Sequence, residues 1–173
     1  MTVLVLGIGN ILKGDDGLGV HALRLLEEEG LEGADLLEVG TSLVDAFSVV
    51  ENYDHVVALD AVAAGGAPAA LYWLPRERFV RARAGRMTLH DEDLLDALDL
   101  AELRGRHPVL HVAGMEPCQW NDWRIGLSAP VQQALPDYVA MVRCRVRRLI
   151  GDREEGRPCL FASKDVFLAH GKS

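Results

Sequence analysis

The chain has 173 residues, 49% hydrophobic and 25% charged, a balance that suits one soluble globular domain around a single core. Its formal net charge of −8 speaks against a general nucleic-acid binder, because a phosphate backbone repels an acidic protein. No apolar run approaches the ~20 residues of a membrane span, and three widely spaced cysteines, Cys118, Cys144 and Cys159, make neither a disulfide framework nor a zinc knuckle and are expected to be plain thiols.

Val3-Leu4-Val5-Leu6 opens the chain as an apolar run with no cationic flank, which predicts a buried strand rather than a signal peptide and places the protein in the cytoplasm. A glycine loop, Gly7-Ile8-Gly9-Asn10, leads to Asp15-Asp16-Gly17. Leu18, Ala22, Leu25 and Leu26 then share one face of a helix that Gly30 is placed to stop. A strand is expected at Leu36–Val39, a helix from about Val44 to Glu51, and a buried strand at His55–Asp60 ending in an aspartate. A loop containing Gly65-Gly66 separates it from a further strand at Ala70–Leu74. Residues 75–87 are Arg-rich and carry no period.

Thr88-Leu89-His90-Asp91 reads as a helix start, a variant of the capping box, with Leu94, Leu95, Leu98 and Ala101 as the apolar face behind it. Val109–Val112 predicts a strand, and a loop with Gly114, Pro117, Trp120 and Trp123 follows. The two tryptophans are expected to pack that loop against the sheet. Val131, Leu135, Val139, Val142, Val146 and Leu149 define a last helix, in which Pro136 predicts a kink or a later start. Arg143, Arg145, Arg147 and Arg148 cluster toward its end, where cations complement the helix dipole. Residues 1–150 thus read as one domain and 151–173 as a patternless tail.

Strands and helices alternate, which implies an α/β domain with a mainly parallel sheet covered on both faces. Ligands of such sheets sit beyond the carboxyl ends of the strands, so the loops after Leu6, Leu59 and Val112 should hold the chemistry. The glycine loop is not a dinucleotide fingerprint, because its third glycine would fall at Leu12. Asp15 and Asp16 near the next helix start would also repel a pyrophosphate, and Glu38 alone does not make a ribose site.

Asp16 and Asp60, each beyond or at the end of a strand, can converge on one crevice. His90, at a helix start, feels the positive end of the dipole and is disposed to stay neutral, as a metal ligand must be. Two carboxylates and one imidazole suit a divalent transition metal with open positions. Without a metal, two carboxylates can share acid and base roles. The same residues also admit plainer roles: Asp15 or Asp16 capping the first helix, Asp60 capping a turn, His90 facing solvent. His111 reads as a packed strand residue, and His21, His55, His107 and His170 lack a partner at ligand spacing.

Four segments in order resemble the [NiFe]-hydrogenase maturation endopeptidase family: Val5–Leu12 with Asp15–Val20; Asp60-Ala61-Val62 with its glycine loop and Pro68; His90-Asp91; and Gly114–Pro117 with Gly126-Leu127-Ser128. The resemblance covers residues 3–150. It implies a doubly wound, three-layer α/β/α sandwich and a monomeric enzyme that cuts the C-terminal extension from a nickel-loaded hydrogenase large-subunit precursor. It maps the family's metal-contacting and catalytic residues onto Asp16, Asp60 and His90, with Asp at position 16 where some members carry Glu. The nickel is that of the substrate. The Trp-rich stretch Cys118–Arg124 departs from the family pattern. Two other readings stay open: a nickel or precursor chaperone without catalysis, and a peptidyl-tRNA hydrolase-like enzyme, which shares the Gly-x-Gly-Asn opening.

Overall fold

The computed structural model describes residues 1–42, 44–82, 89–118 and 123–151; for residues 44, 45, 81, 82 and 89–92 it describes the backbone. The elements in chain order are β1 (Val3–Ile8), α1 (Leu18–Glu28), β2 (Asp35–Gly40), α2 (Val44–Phe47), β3 (His55–Ala61), β4 (Leu71–Pro75), α3 (Arg76–Ala82), α4 (Leu89–Leu103), β5 (Val109–Met115) and α5 (Ala129–Ile150). The five strands form one sheet in the order β2-β1-β3-β5-β4. β1 lies parallel to β2 and β3, and β3 parallel to β5. β4 returns antiparallel on the edge beside β5.

Side chains alternate across a strand, and both sets are apolar here. Val3, Val5, Val57, Leu59, Ala113 and Met115 pack under Leu18, Ala22 and Leu26 of α1 and Val131, Leu135, Tyr138, Val142 and Val146 of α5. Leu4, Leu6, Val56, Ala58, Leu110 and Val112 form the opposite core with Ala46, Phe79, Leu94, Ala97 and Leu98. Two buried faces explain why the strands read as continuous apolar runs. The expected three-layer α/β/α sandwich is therefore present.

Local departures from the sequence reading have physical causes. α3 carries no periodic pattern because a single side chain, buried Phe79, anchors it. Its Arg76 also reaches Asp99 and Glu102 on α4. The helix expected over Val44–Glu51 is split into α2 and a 3-10 turn at Val50–Asn52. α5 runs through Pro136 from a start further upstream, with a proline in its first turn where no N–H is missed. It ends at Gly151, whose φ of 87° is the left-handed cap that glycine supplies. Arg147 and Arg148 occupy its last turn, as the dipole favours. Thr88, Trp120 and the tail from 152 onward lie outside the described residues.

Cys118 is a free thiol, whereas Cys144 is disulfide-bonded, against the expectation of a plain thiol. Among the described residues no helix is long and apolar enough to cross a membrane.

Candidate functional site

The carboxyl ends of β1 and β3 meet the first turn of α1 at very short range. A Cβ on Gly19 would lie 2.0 Å from the Leu59 carbonyl oxygen and 2.4 Å from that of Ile8. Only glycine allows that approach, and it brings the loop before α1 down onto the end of the sheet. Gly9, at φ 120°, is the second such point, since a Cβ there would lie 1.7 Å from the Asp16 carbonyl oxygen.

The loop coils into a 3-10 turn at Gly14–Gly17 that carries both aspartates. Their environments differ. Asp15 is 1% exposed. It accepts from the Ser128 N–H at 2.7 Å, the Ser128 hydroxyl at 2.8 Å and the Cys118 N–H at 2.9 Å. Asp15 therefore caps the start of α5 and ties the loop after β1 to the loop after β5. The N-cap position of α1 is held by Gly17, which makes no side-chain bond. Asp16 is half-buried. One of its oxygens accepts the Asn10 N–H at 2.9 Å, which leaves the other oriented by the turn rather than consumed by it.

Asp60 is the penultimate residue of β3 and 5% exposed, and one oxygen accepts the Ala61 N–H at 2.8 Å. Its carboxylate acts on Tyr138 of α5, whose phenol is pushed up first by burial and then by that charge. The Tyr138 hydroxyl donates to the Ala113 carbonyl at 2.5 Å. Parallel pairing of β1 and β3 thus sets Asp16 and Asp60 at the same edge of the sheet. His90 is the second residue of α4, the helix over the second core, and its side chain lies outside the described residues. Among the described residues no three His, Cys, Asp or Glu side chains are grouped to hold a metal.

One buried acid had no role in the sequence reading. Glu116 follows β5 and is 7% exposed. It accepts N–H groups of Ala64, Gly65 and Gly66 at 2.9, 3.2 and 3.1 Å and the Tyr72 hydroxyl at 2.7 Å. Burial and this hydrogen bond push the Tyr72 phenol well up. Glu116 therefore fixes the loop that leaves Asp60. The available signal was an acid directly after an apolar strand and before a proline, a place where solvation alone is a poor account.

Other candidates resolve as structure. Glu38 pairs bidentately with Arg24, at 2.9 and 2.8 Å, which accounts for it without a ribose. His111 packs in the sheet as expected, stacked on Trp73 at 5.3 Å. His55 does gain a partner that sequence spacing hid, because adjacent strands place its Nδ1 3.3 Å from His111 Nε2. Trp123 does not pack against the sheet; it is 78% exposed. A cleft of about 250 Å³ opens beside the Asp16 loop, between Asn10–Leu12 and Glu38–Thr41.

Sheet order and site together define a doubly wound α/β protein with an acidic centre at the carboxyl edge of its sheet. The hydrogenase maturation protease family model matches residues 20–144. The hydrogenase expression/formation protein HupD of Rhizobium leguminosarum bv. viciae is 30% identical over 160 residues, 90% of this chain and 79% of that protein. HupM of Azotobacter chroococcum mcd 1, another hydrogenase expression/formation protein, is 34% identical over 145 residues, 80% and 68% of the two chains. Among solved structures, the hydrogenase maturating endopeptidase HybD from Escherichia coli superposes with a TM-score of 0.77 at 27% identity, covering 86% of this chain and 94% of that one. The [NiFe] hydrogenase maturation protease HybD from Thermococcus kodakarensis gives 0.70 at 25% identity, covering 84% and 99%. The chain belongs to the hydrogenase maturation proteases.

Proposed function

We propose that the protein is an endopeptidase that removes the C-terminal extension from the large-subunit precursor of a [NiFe] hydrogenase once nickel has been inserted, in the cytoplasm and as a monomer. Family membership supports the protease. The observation that supports the site is the close approach of α1 to the carboxyl ends of two adjacent parallel strands, which only Gly19 permits: Asp60 lies at the end of β3 and Asp16 in the turn that leads into α1. The donor chemistry fits a divalent cation: one buried and one half-buried carboxylate, the second with an oxygen not used by its turn. His90 is assigned as the third member of the set.

On this reading Asp16, Asp60 and His90 receive the nickel that the precursor carries, so an empty precursor lacks the group that completes the site. A divalent cation so held polarises a carbonyl or eases deprotonation of water. The protein's own part is to present two fixed carboxylates, to keep the loop after Asp60 rigid through Glu116, and to close the site from the α1 side.

The test is intact-mass analysis of a tail-bearing large subunit incubated with the protein, nickel-loaded beside nickel-free. Loss of one discrete C-terminal peptide only in the loaded sample is expected. Asp60→Asn and His90→Ala should each lower the cleavage rate by at least about a hundredfold. Wild-type rates in both variants would refute the assignment of the site. A stable complex with no peptide lost would instead mean binding without catalysis.

A further inference from the structure

The loops after β1 and β5 meet outside the main sheet in a short ribbon. Lys13 pairs in parallel with Arg124. The Arg124 N–H donates to the Leu12 carbonyl at 3.0 Å, and the Gly14 N–H donates to the Arg124 carbonyl at 2.7 Å. The N–H and the carbonyl of one trans peptide point in opposite directions. The Trp123 carbonyl and the Ile125 N–H, opposite the two paired groups of Arg124, therefore face away from the ribbon, and among the described residues no hydrogen bond engages them.

The side chains on this edge are large, apolar and out in water: Trp123 is 78% exposed, Ile125 83% and Leu12 48%. Single exposed apolar residues need no explanation, but three together beside open main-chain groups do. Lys13 Nζ lies 5.6 Å from the centre of the Trp123 ring, so this lip carries a cation in a chain of net charge −8. The ribbon also adjoins the acidic centre, because the Lys13 N–H donates to the Asn10 carbonyl at 3.0 Å and the Asn10 N–H holds Asp16.

We propose that the Trp123–Ile125 edge docks the substrate polypeptide as an added strand. An extended segment of the precursor pairs with the main chain there, lays apolar side chains on Leu12, Trp123 and Ile125, and sets an acidic side chain near Lys13. What the edge offers defines the occupant. N–H and carbonyl groups at strand spacing are matched by a peptide backbone, the apolar side chains by apolar residues, and the Lys13 charge by an acid. Adjacency to Asp16 makes that peptide the substrate and not a second copy of the chain. The inference rests on the protease reading above and adds the surface that grips the substrate.

Amide hydrogen exchange of the full-length Asp60→Asn protein, alone and with a nickel-loaded, tail-bearing large subunit, reads the docking directly. Slower exchange at the Ile125 amide in the complex is expected. In the otherwise wild-type protein, Trp123→Ala and Ile125→Pro should raise KM about tenfold with kcat within about twofold. Both residues are exposed, so neither change threatens the core. Unchanged exchange at the Ile125 amide, or unchanged KM in both variants, overturns the docking edge even if the wild type cleaves the precursor. Protection of that amide without cleavage by the wild type would support the edge while refuting the protease reading. Protection that rises with the protein's own concentration, without precursor, would assign the edge to a second copy and overturn the proposal.

Discussion

Asp15 and Asp16 are adjacent in sequence, yet their surroundings divide them into a clamp and the carboxylate proposed above as a ligand. Asp15 accepts three hydrogen bonds while almost fully buried. Its removal by Asp15→Ala should cost about 3 kcal/mol by urea denaturation, since Ser128 and Cys118 donors would be stranded. Asp16→Asn keeps an oxygen for the Asn10 N–H, so it should leave stability within about 0.5 kcal/mol and abolish cleavage. Equal stability losses in the two variants would contradict this division. Glu116 belongs with Asp15: Glu116→Gln turns an amide group toward donors and should cost about 2 kcal/mol, with slower cleavage through a loosened loop 64–66. His111 sets a pH dependence. Burial, then the neighbouring His55 and Arg145 charges, lower its pKa from 6.5 to about 4. The unfolded chain then binds more protons than the folded one between those values, so stability falls as pH drops from 6.5 toward 4. His111→Gln should flatten that slope in denaturation curves recorded across the window; an unchanged slope would place the acid sensitivity elsewhere.

At the scale of elements, the contact between α1 and the ends of β1 and β3 governs the site. A methyl group at position 19 would meet two backbone carbonyls, which cannot rotate away as a side chain can. Gly19→Ala should therefore lift α1, cost about 1–3 kcal/mol of stability and reduce cleavage more than that loss explains, because Asp16 sits on the 3-10 turn that runs directly into α1. Thermal denaturation beside cleavage rates would separate the two effects. The residue pattern showed the long elements because each buries an apolar face. It did not show α3, which one Phe79 side chain and the Arg76 ion pairs hold in place. It also misjudged Trp123, since composition states that a tryptophan is large and apolar but not whether a partner surface stands opposite.

Across the whole molecule, two loops far apart in sequence form one working edge. Asp15 joins residue 118 and residue 128 to the first strand's loop, and the Lys13–Arg124 pairing continues the same union outward. The acidic centre and the exposed ribbon are consequently two parts of a single rim. Substrate docking and cleavage should therefore fail separately when the two parts are altered: changes at Trp123 or Ile125 in KM, changes at Asp16 or Asp60 in kcat.

The alternation of apolar strands and amphipathic helices was enough to determine the α/β class, since every strand between helices must bury both faces. The position of Asp60 at the end of its strand was likewise legible, because a charge that closes an apolar run marks where the run leaves the core. Strand order, and with it the pairing of β1 with β3 and the meeting of His55 with His111, depended on contacts more than 50 residues apart that no local pattern encodes. The roles of Asp15 and Glu116 were decided the same way. A carboxylate becomes a clamp only when the fold carries donors to it from elsewhere in the chain, and for these two the donors come from 44 to 113 residues away.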